Sequence, residues 1–262
     1  MVLMIRSRMI LFVWLALICI PRGYAGISGD DADEYFEFLT RANHYSPLEH
    51  AGSHGTIGVG LGIGVASYDA PSSPDIIREH WRGGGENLDE NKETPSRIYV
   101  SRIHVHKGLP YALDVGLGVG QNTGTSAALM SGYAQWTIYE GFAAPALAFR
   151  LGYNRLMALA TTDASSFEAE TLVSYGFKRF FTVYGGMGIG RHLIQVRTGS
   201  EFGTTMALYG ETDGVVSKVL VRRSRSLGLQ IQVLPPFMTV AFESASVGTG
   251  AQSYLAKLSI GI

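Results

Sequence analysis

Ile57-Gly58-Val59-Gly60-Leu61-Gly62-Ile63-Gly64-Val65-Ala66 decides how the rest of the chain is read. Branched apolar residues occupy every second position and glycines fill the gaps. A helix would scatter Ile57, Val59, Leu61, Ile63 and Val65 around its axis, whereas a strand puts all five on one face. The other face is then bare backbone. The same design returns at Leu113–Gly120 and, less regularly, at Val183–Gly190.

Working outward, the alternation and the turn residues place ten strands near 54–69, 96–107, 110–121, 126–140, 144–157, 165–178, 181–197, 216–234, 236–247 and 251–262. The connections after even strands are tight, at Lys107–Pro110, Gly141–Pro145, Lys178–Phe180 and Leu234–Pro236. The two long ones, Ala70–Pro95 and Thr198–Val215, follow odd strands, as do the shorter Asn122–Thr125, Thr161–Ala164 and Gly248–Ala251. In an up-and-down array successive connections alternate between rims, so the long loops share one rim and the tight turns the other. A β-sandwich has no reason to sort its loops this way.

Composition agrees. The 262 residues include 33 Gly, 13 Tyr and 12 Phe, with 16% charged, and no basic block is present to neutralise a row of phosphates, which argues against nucleic acid. Mean hydropathy is +0.14, yet no internal apolar run approaches the roughly 20 residues of a spanning helix. A membrane barrel hides its hydrophobicity in alternation. Arg150, Glu168, Glu170 and Lys178 stand between apolar neighbours, which a wet or paired interior tolerates and a soluble core does not. Aromatics gather near strand ends, at Tyr68, Tyr111, Trp136, Tyr139, Phe177, Phe180, Phe181, Phe237 and Tyr254, as interfacial girdles require.

The N-terminus reads as an export signal. Arg6 and Arg8 precede the apolar run Met9–Ile20, Pro21 breaks it, and Gly23-Tyr24-Ala25 supplies a cleavage site after Ala25. Cys19, the only cysteine, lies inside that segment, so the mature chain would have none, and its net charge would move from −1 to about −4. Residues 26–53 then form a polar, acidic segment on the periplasmic side. Asp30, Asp31, Asp33 and Glu34 lead into Tyr35, Phe36, Phe38 and Leu39, consistent with a short amphipathic helix over Asp33–Ala42. A loose leader before the first strand is the reading adopted; a clip or a plug inside the barrel is the other.

The last strand, Tyr254-Leu255-Ala256-Lys257-Leu258-Ser259-Ile260-Gly261-Ile262, puts Tyr254, Ala256, Leu258, Ile260 and Ile262 on one face. Here the chain resembles the bacterial outer-membrane β-barrel class, over roughly Gly55–Ile262. Ile262 departs from the class's usual terminal Phe or Trp. The resemblance implies an all-β, closed antiparallel up-and-down transmembrane barrel with short periplasmic turns and long outer loops. It also implies outer-membrane lipid and the insertion machinery as partners, the latter through the last strand, with a monomer as the working unit.

For chemistry the sequence offers little. The glycine runs lack the following helix of a dinucleotide fingerprint, so no cofactor is expected. His104 and His106 share a face with Arg102 on the second strand. A metal wants a third ligand, and His192 is the only other strand histidine, so they read as polar lumen residues and no metal site is expected. Ile98 and Val100 share that face too, which suggests a bulge in the strand. A Ser–His–acid set can be drawn from Ser101, His104 and Asp114, though nothing in the local sequence marks it and such triples arise by chance in a polar lumen; the alternative role is a lipid or peptide hydrolase with its site at the outer rim. The main expectation is a structural, adhesive or narrow passive-pore role. Its lumen would hold Arg102, Asp114, Arg150, Glu168, Glu170, Lys178, Arg222, Glu243 and Lys257, paired across the barrel, since lone charges are costly to bury. The loop Ala70–Pro95, with Trp81, Arg82, Glu86, Asp89, Glu90 and Glu93, is the expected contact with the outside.

Overall fold

In the computed structural model, residues 30–71, 96–122, 127–140, 145–157, 162–177, 180–198, 214–234, 237–248 and 252–261 are described. Among the described residues one α-helix, α1 (Asp30–Ala42), precedes ten strands: β1 (Val59–Asp69), β2 (Arg97–Leu109), β3 (Leu113–Asn122), β4 (Ala128–Tyr139), β5 (Ala146–Met157), β6 (Thr162–Phe177), β7 (Phe181–Thr198), β8 (Gly214–Leu234), β9 (Met238–Val247) and β10 (Gln252–Gly261). Each strand pairs with the next, antiparallel, and β10 returns to β1 with Gly60 opposite Gly261 and Ser67 opposite Tyr254. The sheet therefore has no free edge.

The faces sort as the alternation requires. Leu61, Ile63, Val65, Leu117, Val119, Val173, Leu227 and Ile260 are exposed on the outside. Polar groups and glycines face in. Near the tight turns Tyr111, Tyr139, Phe177, Phe180, Phe181 and Phe237 are exposed, and the Phe177 and Phe181 rings stack at 4.8 Å. At the rim of the long connections, called the outer rim here, the apolar surface gives way to the ion pairs Arg97–Asp69 (3.0 Å) and Arg155–Asp163 (2.8 Å). An apolar belt between an aromatic girdle and charged residues is the surface lipid selects.

Several expectations need correction. β1 begins at Val59, not residue 54, because Gly55 turns the chain at φ +70° and Gly58 N–H donates back to its carbonyl at 3.3 Å. β2 carries no bulge: its register against β1 is unbroken, and Ile98 and Val100 point inward with Arg102, His104 and His106. Tyr68 also turns inward, buried, rather than joining a girdle. Residues 1–29, Trp81–Glu93, Lys178 and Ile262 lie outside the described residues.

The largest departure concerns the segment expected as a loose periplasmic leader. From α1 onward it lies inside the barrel. The helix, extended by one turn over the expected Asp33–Ala42, buries Tyr35, Phe36, Phe38, Leu39 and Ala42 against Ile98, Val100, Leu129, Leu156, Ile194, Val196 and Leu220. These wall residues are the apolar ones that face inward near the outer rim. They explain why β2 turns Ile98 and Val100 to the lumen: the mouth is packed dry against the helix.

Candidate functional site: the filled lumen

After α1 the chain runs extended down the lumen, and its polar backbone is met residue by residue by wall side chains. The carbonyl of His44 accepts from Arg102 Nη2 (3.3 Å), that of Pro47 from Lys257 Nζ (2.8 Å) and that of Glu49 from Arg150 Nη2 (2.8 Å). Gln135 Nε2 donates to the His50 carbonyl (2.9 Å) and Thr137 Oγ1 to that of Ala51 (2.8 Å). Ala51 N–H donates to Ser174 Oγ (3.1 Å), Ser53 N–H to Glu140 Oε2 (3.1 Å) and His54 N–H to Asp114 Oδ1 (3.2 Å). An extended segment with no strand partner satisfies its buried backbone this way.

The side chains are paired as well. At the outer mouth Asp33 meets Lys218, and Glu37 meets Arg222, whose Nε lies 2.8 Å from Glu37 Oε1. Tyr35 shares a hydrogen bond with Thr162 (3.2 Å). Deeper, His44 Nδ1 sits 2.6 Å from Glu168 Oε2, and Ser46 Oγ donates to Glu243 Oε2 at 2.9 Å. Glu49 closes on Lys257 of the last strand. Arg150 is the hub: it binds Gln135 (2.7 Å), Glu170 (3.2 Å) and the segment's backbone.

Arg102, Asp114, Arg150, Glu168, Glu170, Arg222, Glu243 and Lys257 thus all face inward, but they do not chiefly pair with one another across the barrel. Among the described residues of that set, Arg150–Glu170 is the ion pair made between strands; Glu168, Arg222 and Lys257 each take a charged or ionisable partner from residues 37–49. The partners Glu37, His44, Glu49 and His54 were missed. Their one sequence signal is three of the seven histidines, His44, His50 and His54, within eleven residues.

The wall glycines have a steric reason. A Cβ on Gly62 would lie 2.7 Å from the His104 ring, and one on Gly118 would lie 2.6 Å from Ser131 Oγ and 3.1 Å from the Tyr45 hydroxyl. Gly60, Gly116 and Gly228 leave the same room for His106, Tyr133 and Tyr184. The bare faces of β1 and β3 admit rings and the threaded segment.

At the tight-turn end, His54 precedes β1. Its Nε2 lies 3.3 Å from Glu49 Oε2, its Nδ1 lies 3.5 Å from Asp114 Oδ2, and the His106 ring centroid is 4.3 Å away. Burial alone would lower the His54 pKa, but the hydrogen bonds to Asp114 and Glu49 outweigh it and raise it to about 10. His50 lacks such partners; burial, with the His54 charge beside it, lowers it to about 4. The serine of the Ser–His–acid set stands apart. Ser101 is exposed on the outer face, with its hydroxyl on the Gln121 carbonyl at 3.2 Å, while His104 and Asp114 face the lumen. That set does not assemble.

No family model and no curated protein matches the chain. Its fold is similar to those of solved outer-membrane barrels. The translocator domain of the autotransporter NalP from Neisseria meningitidis aligns over 91% of this chain and 99% of its own, at 10% identity and a TM-score of 0.40. The KdgM porin, in complex with disordered oligogalacturonate, aligns over 77% and 98%, at 6% and 0.38. Ail, the attachment invasion locus protein of Yersinia pestis, aligns over 78% and 96%, at 11% and 0.33. The barrel described above, even-stranded, closed, apolar outside and polar inside, has the architecture of the bacterial outer-membrane class, and its place is the cell outer membrane.

Proposed function

We propose that the protein is a self-sealed barrel, with a structural or adhesive role and at most a thin water path. The observation that carries this is the threaded segment. From Asp33 at the outer mouth to His54 at the tight turns, residues of one stretch fill the lumen and are bonded to it along their length. Ten strands enclose an interior little wider than the eight-stranded kind that side chains alone can fill. A helix plus an extended chain leaves little room for solute.

What remains to act is the exterior. The belt faces lipid, and the last strand supports entry through the insertion machinery, as a single copy. β1 ends and β2 begins at the outer rim, at Asp69 and Arg97, so contact with the outside is assigned to the sequence between them. Export through a signal at residues 1–25 belongs to the same reading.

Single-channel recording in planar bilayers tests it. The full mature chain should give no large, stable conductance, and deletion of residues 30–54 should produce one. A large, steady conductance from the full chain overturns the sealed barrel.

A further inference from the structure

The Glu49, His54 and His106 side chains form a three-donor constellation that the sealed-barrel reading does not use. Their ligand atoms all lie within 4.8 Å of one another. Glu49 Oε2 is 3.3 Å from His54 Nε2, and Glu49 Oε1 is 3.3 Å from His106 Nδ1. Metal bonds near 2.0–2.2 Å at a tetrahedral angle put neighbouring donors about 3.3–3.5 Å apart. The Glu49–His54 contact already has that spacing, and His106 completes a set that a small shift of its ring would close.

The surroundings are arranged as for bound metal. Asp114 stands behind His54, 3.5 Å from the nitrogen opposite the one facing Glu49, and also holds the His54 backbone N–H. Lys257 fixes the Glu49 carboxylate through Oε1, which leaves Oε2 free to face His54. Carboxylates behind ligating histidines, and donors that hold ligating carboxylates, set ligand orientation in metal sites. Two buried carboxylates, Glu49 and Asp114, face one buried ammonium, Lys257, and flank His54 on either side, so a bound cation would take the place of the proton those carboxylates hold on that ring. Gly60 leaves the space that the His106 ring occupies.

We propose that Glu49, His54 and His106 bind a borderline divalent transition ion, of the zinc, cobalt or nickel kind, with a fourth position open. Two imidazoles and one carboxylate suit these ions better than calcium or magnesium, which take all-oxygen shells. Two of the ligands come from the threaded segment and one from β2, so the ion staples the segment to the wall near the tight turns.

The test uses the mature chain, refolded without a histidine tag and stripped of metal. Zinc is titrated by calorimetry, and cobalt is followed by its ligand-field absorption. One equivalent per chain is expected, with tetrahedral-type cobalt bands. His106→Ala and Glu49→Gln should each weaken zinc by at least about tenfold. His104→Ala, two residues along the same face, should leave affinity unchanged. Heat-modifiable migration checks that each variant is folded. Folded unsubstituted chain that takes up no zinc, or a folded His106→Ala chain that binds as well as the parent, overturns the site. The seal is a separate matter: a chain that binds zinc yet conducts, or is sealed yet binds none, tells the two apart.

Discussion

Lys257 on β10 and Glu49 in the threaded segment, 208 residues apart in sequence, form an ion pair in which each residue is 2% exposed. The ammonium also holds the Pro47 carbonyl at 2.8 Å. Removing one member of a buried pair strands the other charge, which costs about 3–5 kcal/mol, whereas removing both is often near neutral. Lys257→Met should therefore lower the urea midpoint in detergent micelles far more than Lys257→Met with Glu49→Gln. Equal losses for the single and double variants would show that the pair is not coupled.

Arg150 reaches Gln135, Glu170 and the Glu49 carbonyl at once. Hydrogen bonds to charged groups contribute about 1.5–3 kcal/mol each, and a lysine cannot reproduce the fork. Arg150→Lys should loosen the segment more than the barrel. Hydrogen exchange should quicken at residues 44–54 while the β5 and β6 amides keep their protection.

The glycines divide into two kinds. Gly116 faces the Tyr133 ring so closely that a Cβ would collide, whereas a Cβ on Gly152 meets nothing nearer than the Gly132 carbonyl at 4.0 Å. Gly116→Ala should cost about 1–3 kcal/mol through overpacking. Gly152→Ala should be neutral or slightly stabilising, since it only removes unfolded-state freedom. Paired unfolding curves check the contrast.

At the outer mouth the Lys218–Asp33 and Arg222–Glu37 pairs are partly exposed, with side chains between 23% and 49% accessible. Such pairs contribute about 0–1 kcal/mol each and are screened by salt. Raising ionic strength should free the charged flank of α1 but leave its apolar face seated. A cysteine placed at Glu34, which keeps both ion pairs, should label faster in high salt, and one placed at Phe38 should not.

The ten strands were legible because their signal is local: Leu61 and Ile63 declare their face through their immediate neighbours, whichever strand they pair with. The α1 helix was legible from the acids before Tyr35 and from the apolar spacing that follows. The filling of the lumen was not. The need of Lys257 for a counter-charge could be read, but nothing near it names Glu49, and the expectation of cross-lumen pairing chose wall residues because the wall was all the alternation described. The start of β1 was misjudged for the opposite reason, since a single left-handed Gly55 ends an alternation that composition alone would continue.

The position of Lys257 also bears on how the molecule is made. Translation supplies Glu49 well ahead of Lys257, by 208 residues, and the hydrogen bonds that join β10 to β1 come from the same late strand. Hoop and cork are therefore fastened by one event. A nascent chain lacking β10 would have neither a shut seam nor a seated core, so quality control that inspects that strand inspects the interior as well.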